Sequence, residues 1–375
     1  NFNPFTNIAP FAGTFTLNDV AVEDPYGSAG MENPFPSNFG PDVPGPEFEF
    51  AEINDIRAYF APDYRIPQLA TWSLRLERQV GENWVASAAY LGNKGTYLQV
   101  TMEENPAMFI PGVDADGNFL STVGNTQERR IYPNFGPVGR TDSGSNSHYH
   151  ALQLNLEKRF ARGLSILTNY TWSKTTDDIT GANPFDRRSG YGLADQDVTH
   201  NFKFSNIFEI PRLDVAGFTD KLLNGWQLNS SIVWQSGFPF TITSGQDNSL
   251  TGVGGQRADF LGGDPELSSD RPRGEKVLQW FDTSRFAVPE RGTFGNVGRN
   301  TLRGPQYFNV DFGVLKTSRL TETVGLQFRA EFFNLFNNVN FRLPSTNVSS
   351  SQFGRITSVV DDSQRIIQFG LKLVF

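Results

Sequence analysis

The chain has 375 residues, a net charge of −8, no Cys, 3 His, 36 Gly, 22 Pro and 34 Phe. An acidic balance argues against a nucleic-acid partner, and the lack of Cys removes disulfide and thiolate chemistry. No apolar run approaches the ~18 residues of a membrane-spanning helix. A mean hydropathy of −0.38 still leaves a membrane β-barrel open, because alternate residues of its strands face a polar interior.

The chain begins at Asn1 with neither Met nor a signal peptide, which reads as a fragment lacking its N-terminal part; proteolytic maturation would leave the same start. Residues 1–68 are rich in Pro, Gly, Asn and Phe, a composition that suits the loop region expected there. From residue 69 onward the apolar residues alternate with period two. Over 69–79, Trp72, Leu74 and Leu76 share one face and Ser73, Arg75 and Glu77 the other. A Gly-Glu-Asn turn at 81–83 leads into Trp84, Ala86, Ala88 and Tyr90. Over 149–160, Leu152, Leu154 and Leu156 oppose Gln153, Asn155 and Glu157. After Ala-Arg-Gly at 161–163, Leu164, Ile166, Thr168, Tyr170 and Trp172 oppose Ser165, Asn169 and Ser173. Phe202, Phe204 and Phe208 then oppose Asn201, Lys203 and Ser205, while Trp226, Leu228, Ile232 and Trp234 oppose Gln227, Asn229 and Gln235. Phe308, Val310, Phe312 and Val314 oppose Asn309 and Asp311; Val324, Leu326, Phe328, Ala330 and Phe332 oppose Gln327, Arg329 and Glu331. The last strand is 365–375.

About nine strands of roughly 10–12 residues result, long enough to cross a bilayer when tilted. Charged residues of apolar parity (Arg78, Lys158 and Lys316) fall at strand ends, where they can reach an interface. Short connections near 80–83, 161–163 and 317–322 alternate with long ones near 100–148, 176–198, 241–306 and 337–364, with 211–225 a longer exception on the short side. That asymmetry fits an outer-membrane barrel. A soluble β-sandwich also has one apolar face per strand, but its strands are shorter and its loops do not segregate by length.

The final residues Gln368, Phe369, Gly370, Leu371, Lys372, Leu373, Val374 and Phe375 keep the apolar row going to the terminus, where soluble domains normally fray. Gln368, Gly370, Leu373 and the terminal Phe375 resemble the C-terminal assembly signal of bacterial outer-membrane β-barrels, which implies the barrel-assembly machinery as a partner.

Candidate chemistry is sparse. Gly295, Asn296, Gly298, Arg299, Asn300, Arg303 and Gly304 form a Gly-rich basic stretch without the Lys-Ser/Thr of a phosphate loop, so it reads as loop backbone re-entering a strand. Its Arg299 and Arg303 are candidates for acidic partners or for ligand contact. Asp114, Asp116 and Asn118 have the spacing of a Ca²⁺ loop, but the Gly and terminal Glu are misplaced, and Asp116-Gly117 reads more simply as a hairpin tip. His148 and His150 lie at i, i+2 without a visible third ligand and read as surface histidines; His200 reads as a polar rim or lumen residue. Glu331–Asn337 reads as a strand reaching the rim, with Asn337-Asn338 opening a turn. The acidic pairs Glu103-Glu104, Asp177-Asp178 and Asp361-Asp362 read as solvated charge. No metal site, cofactor or catalytic motif is assigned. Among the Phe residues of the first segment, Phe5, Phe35 and Phe39 (with Phe11 and Phe15) could hold a ligand or pack loops together, and packing is favoured.

Residues 62–98, PDYRIPQLATWSLRLERQVGENWVASAAYLGNKGTYL, resemble a segment of TonB-dependent outer-membrane receptors of the Oar-like group, which carry an N-terminal carboxypeptidase-regulatory-like domain. So do 280–316, WFDTSRFAVPERGTFGNVGRNTLRGPQYFNVDFGVLK; 328–344, FRAEFFNLFNNVNFRLP; and the terminal RIIQFGLKLVF. Asn33-Pro34-Phe35-Pro36 is a weaker match in the expected place. The resemblance implies an all-β fold: an antiparallel transmembrane β-barrel fragment, about nine strands of a 22-stranded barrel, in the bacterial outer membrane. Residues 1–68 become an extracellular loop region and 69–375 the C-terminal part of the barrel. It further implies a plug domain, TonB as a partner through the missing N-terminal part, outer-membrane lipid around the wall, and uptake of a scarce or bulky extracellular ligand. Arg75, Glu77, Glu157, Lys203, Asp311, Arg329, Glu331 and Lys372 then face the lumen. Rival readings are a non-importing barrel for adhesion or surface export, and a soluble carbohydrate-binding sandwich. Nine antiparallel strands cannot close on themselves all-antiparallel, so the isolated fragment would carry two strand edges. Deleting Phe375 from the full-length protein should block assembly, read as loss of the heat-modifiable folded band from outer-membrane fractions; normal insertion would discredit the signal.

Overall fold

The computed structural model describes residues 24–28, 30, 54–179, 182–321, 323–361 and 363–375. Nine long strands carry the fold: β1 (Gln68–Val80), β2 (Trp84–Glu103), β3 (Phe135–Ala161), β4 (Leu164–Asp177), β5 (His200–Glu209), β6 (Trp226–Gln235), β7 (Tyr307–Arg319), β8 (Gly325–Phe333) and β9 (Ile366–Val374). They follow one another in a single sheet in chain order, β1 at one end and β9 at the other. β1 pairs antiparallel with β2, β3 with β4, and each strand from β4 to β8 with the next. The two ends agree with the expected pair of strand edges.

Register shows that the alternating rows join into one surface. Across the sheet, Leu154 stands opposite Tyr170, Tyr170 opposite Phe202 and Phe202 opposite Trp234. Trp234 then faces Phe308, and further along the same strands Val314 faces Ala330 and Ala330 faces Phe369. Directly opposed residues share a face, so every row assigned as apolar falls on the same side. Large side chains of this face are uncovered toward both ends of the sheet, where Leu76 is 69 % and Leu371 70 % exposed, and half-buried among their neighbours in its middle. A water-soluble sheet would bury this face against another layer. Here it is the lipid surface expected from the alternation.

Polar groups on that face are neutralised locally. Asn206 and Ser230, register partners amid the apolar row, hydrogen-bond to each other, as polar groups in hydrocarbon must. The Lys158 ammonium turns back onto the Ala161 and Leu164 carbonyls at 2.8 and 2.7 Å. Lys316 reaches the Asn224 carbonyl and lies 5.6 Å from the Trp226 ring centroid. Both cations therefore sit at the short-turn end, as expected.

At the long-loop end, the outward face carries aromatic rings. Tyr90 and Trp72 flank His150, with Tyr90 Oη 2.8 Å from His150 Nδ1. Tyr170, His200 and Trp234 stack in series, with Tyr170 Oη 2.8 Å from His200 Nδ1. His200 was expected at a polar rim or in the lumen. Its register opposite Trp172 puts it instead in the outward aromatic belt. Trp72 lies over Gly92, where any Cβ would collide with the indole.

The turns follow their sequence. Arg162 and Gly163 both have positive φ (53° and 78°), the two-residue type I′ geometry that matches strand twist. The longer short-side connection is a folded turn around a helix, Phe218–Leu223. Asn224 closes it through the Leu213 backbone at 2.7 and 2.9 Å and through Asp220 at 2.7 Å.

Two strands exceed expectation. β3 starts at Phe135, not near 149, and β2 runs on to Glu103. The expected 100–148 loop is therefore shortened at both ends, and 104–134 remain between the two strands. Residues 136–147 are Gly, Pro, Val, Arg, Thr, Asp, Ser and Asn. A strand that has left the bilayer has no hydrocarbon to face, so the alternation that reveals a strand disappears.

The described residues form two units. The smaller comprises those up to Tyr64 together with Thr101–Asp142 and Ser249–Val253. In it, Asn54–Phe60 pairs parallel with 135–141. Buried Asn105 places its amide nitrogen 2.9–3.0 Å from the carbonyls of Tyr132, Phe135 and Gly136. Arg129 binds the Met108 and Thr122 carbonyls at 2.7 and 2.9 Å. At 113–119 the expected hairpin tip is present: Asp114 Oδ1 accepts from the Asp116 and Asn118 amides at 2.9 and 2.8 Å. Hydrogen bonding to Asn118, first of all from its backbone, holds the Asp114 carboxyl below its ordinary value. The larger unit holds Arg65–Val100, Ser143–Asn248 and Gly254–Phe375, and its apolar core lies in its loops.

Leu154→Arg, on the apolar face of β3, should destabilise the full-length barrel by roughly 2–4 kcal/mol near the bilayer midplane, whereas Gln153→Arg should be mild. Urea titration in liposomes measures both, and equal tolerance would sink the facing assignment.

Candidate functional site

The core of the larger unit is built from the connections between β6 and β7 and between β8 and β9. Phe240, Ile242, Ala258, Phe281, Phe286, Val297 and Leu302 pack together, with Phe353 against them. Ile242 is 0 % and Phe281 2 % exposed. Phe281 contacts Phe286 and Phe353 edge-on, with centroids 5.6 and 5.3 Å apart. Buried aromatics at such spacings add packing energy beyond their area. Short pairings, 302–303 with 239–240 and 259–260 with 286–287, hold the backbone around them. The long loops thus have a hydrophobic interior of their own, something a strand in lipid does not supply.

An ionic clamp ties these loops to the end of β4. The Arg299 side chain is 5 % exposed. It binds Asp177 and, at 3.0 Å, Asp195. Asn300 adds hydrogen bonds to Asp195 and the Leu193 carbonyl, each 2.7 Å. Arg303 binds Asp197, whose side chain is 0 % exposed, and reaches the Gly237 carbonyl at 3.1 Å. Burial pulls the Arg299 guanidinium downward, but hydrogen bonds and charge from Asp177 and Asp195 outweigh it and hold it above the usual value. Arg257, which donates to the Val297 carbonyl at 3.3 Å, is pushed down by burial and then by the Arg299 charge.

The structure therefore gives Arg299 and Arg303 the acidic partners expected of them. It also corrects one reading: Asp177, taken as solvated charge, is buried and paired. Its partner lies 122 residues away in sequence, so no local pattern marks it. Glu103 is another such case, with Oε1 accepting from the Asn105 and Val138 amides at 2.8 and 2.9 Å. Asp361 is exposed and pairs with Arg342 at 2.6 Å.

The rim motif Glu331–Asn337 reads as expected. Asn334 and Asn337 have positive φ (49° and 51°), and Asn334 exchanges bonds of 2.9 and 2.8 Å with the backbone of Asn338. The Asn334 amide donates to Asp311 at 2.9 Å, anchoring the turn to β7.

The face opposite the apolar row carries the other candidates. Arg75 and Glu77 pair at 2.6 Å and are both exposed. Glu157 opposes Leu167, and Lys203 opposes Val233. Arg329 opposes Gly370, Glu331 opposes Gln368 and Gln327 opposes Lys372. Arg329 Nε donates to Gln327 at 2.8 Å. All eight charges lie on this one face, together with a few apolar residues absent from the sequence reading, such as Leu167 and Ile207. At the terminus, Gln368 and Gly370 fall on the polar face and Leu373 continues the apolar row opposite Leu326; Phe375 is exposed. Phe5, Phe11, Phe15, Phe35 and Phe39, with the segment 33–36, lie outside the described residues.

Arg299→Met strands the buried Asp177 carboxylate and should cost about 3–5 kcal/mol of local stability. The expected readout is faster protease nicking within 241–306 of the folded protein. Arg299→Met/Asp177→Leu should restore most of the resistance, since replacing both members of a buried pair is far less costly than removing one. Unchanged nicking in the single variant would refute the clamp.

Residues 1–368 match the family described as Outer membrane beta barrel domain. No curated protein sequence matches. Solved structures similar to the chain include the outer membrane transporter YddB from Escherichia coli, at 11 % identity and a TM-score of 0.41, covering 87 % of this chain and 34 % of that one. The FrpB iron transporter from Neisseria meningitidis matches at 10 % identity and 0.39, over 84 % and 32 %. BauA, the ferric preacinetobactin receptor from Acinetobacter baumannii, matches at 9 % and 0.38, over 82 % and 29 %. The chain thus spans about a third of the length of these structures. The family match covers nearly the whole chain, and the exposed apolar face is the surface such a protein presents to lipid: the chain belongs to the outer membrane beta barrel domain family and is an outer-membrane protein.

Proposed function

We propose that this chain forms the C-terminal wall of a TonB-dependent receptor of the Oar-like group, which takes up a scarce or bulky ligand from outside the cell. The observation that carries the reading is the division of one sheet into two unlike faces. One is apolar and uncovered. The other bears Arg75, Glu77, Glu157, Lys203, Asp311, Arg329, Glu331 and Lys372, charges suited to a water-filled lumen that guides a ligand or meets a plug. In this reading the long loops are extracellular, and 1–68 are assigned to the extracellular loop region as well. Their core and the Arg299 and Arg303 clamps support capture by a pre-shaped surface, since rigid loops lose less entropy when they bind. Phe5, Phe35 and Phe39 remain candidate contacts in the same role. Folding proceeds through the barrel-assembly machinery, addressed by the terminal strand.

A barrel for adhesion or surface export shares the same wall and needs no TonB. The two are separated with the full-length protein and the purified periplasmic domain of TonB. The import reading expects that domain to co-purify with the detergent-solubilised protein and to be lost when the segment preceding the barrel is removed. No retention of TonB by a folded, full-length protein would overturn it in favour of adhesion or export.

A further inference from the structure

The connection between β5 and β6, residues 210–225, differs from the short turns at 81–83 and 162–163, which are made of Gly, Glu, Asn and Arg. It carries Ile210, Leu213, Phe218, Leu222 and Leu223, all exposed, with Phe218 at 80 % and Leu222 at 54 %. Phe218 and Leu222 stand four residues apart on the helix Phe218–Leu223, one above the other on the same face. The helix is inside out for water. Its acid, Asp220, turns inward to Asn224 at 2.7 Å and Arg212 at 2.9 Å, and its side chain is only 29 % exposed. A turn surrounded by water does the reverse, hiding the Phe and exposing the carboxylate. Exposed apolar residues that occur singly need no explanation, but a group of them marks a contact surface.

Two hydrogen bonds place this helix on the outward side of the wall. Trp226 and Lys316 are register partners in the outward row. Trp226 Nε1 donates to the Leu222 carbonyl at 3.0 Å, and the Lys316 ammonium donates to the Asn224 carbonyl. The C-terminal end of the helix is thus held by side chains of the apolar face. That face runs without a break from Val314 and Leu228, themselves register partners, through Trp226 to the helix. Arg212 and Lys221, the cations of the connection, are both exposed.

We infer that Phe218, Leu222 and Leu223 insert into the membrane leaflet at the short-turn end, and that this connection is an interfacial anchor for the wall. Amphipathic helices lie in that plane with their apolar face among the acyl chains and Lys and Arg on the polar side. Arg212 and Lys221 have the length to reach the polar boundary from there. Continuity with the outward row selects hydrocarbon over a protein partner, because the surface that leads into the helix already faces lipid. With the aromatic belt at the long-loop end and this foot at the other, the wall is gripped at both interfaces. Such anchors, rather than strand length alone, set how a spanning element sits in the bilayer.

The test uses the full-length protein in a Cys-free background, reconstituted in nanodiscs, with a thiol-reactive fluorophore at Phe218→Cys. Glu82→Cys, in another short turn, is the reference position. Two quenchers report the surroundings: iodide in the water, and a nitroxide carried near the headgroup end of the lipid acyl chain. The label at 218 should be quenched several-fold more by the lipid nitroxide than the label at 82, and several-fold less by iodide. Leu222→Cys, on the same face, should repeat this result and serves if the Phe218 variant does not fold. Iodide reaching 218 and 222 as readily as 82 would refute the anchor, leaving the helix in water. Shielding from both quenchers would refute it as well and assign the face to a protein partner.

Discussion

Every backbone group of a chain crossing a bilayer must find its partner within the protein, because hydrocarbon offers none. The antiparallel ladder meets that requirement and dictates the rest. Once the strands are fixed in register, alternate side chains are sorted to opposite faces without further choice. One face meets hydrocarbon and is built from Leu, Phe, Ile, Val, Trp and Tyr. The other bears charge. The exceptions on the apolar face obey the same rule: Asn206 and Ser230 satisfy each other, and Lys158 and Lys316 bend to carbonyls at the turn end.

A wall of this kind has no interior, and the consequence appears in the loops. Because the apolar side chains of the strands are spent on lipid, the segments beyond them need a separate core. Phe240, Ile242, Phe281, Phe286 and Leu302 supply it. Burying Arg299 with Asp177 and Arg303 with Asp197 adds a polar constraint. Buried ion pairs contribute little net stability but penalise any arrangement that separates them, so these pairs act mainly on how the loops are placed.

The sequence by itself determined the wall. Hydrophobic alternation from Trp72 to Leu373 set the strands, their facing and their order, because a strand between lipid and water writes its environment into every second residue. Turn chemistry set the short connection at Arg162-Gly163 and the turn at Asn334 and Asn337 that opens a long one. The Gly-rich stretch around Arg299 was legible as loop backbone, and pairing with acids was foreseeable in kind.

Only the tertiary structure decided which acids. Asp177 and Asp197 meet arginines more than 100 residues away, and contacts across that separation leave no periodic trace. Residues 135–148 became strand although they do not alternate, because outside the bilayer pairing continues without an apolar partner to mark it. His200 joined the aromatic belt because register, not residue type, assigns a side chain to a face. The core within the loops arose in the same way: Phe240, Phe281 and Phe353 are scattered through segments without local order, and only the folded chain brings their rings together.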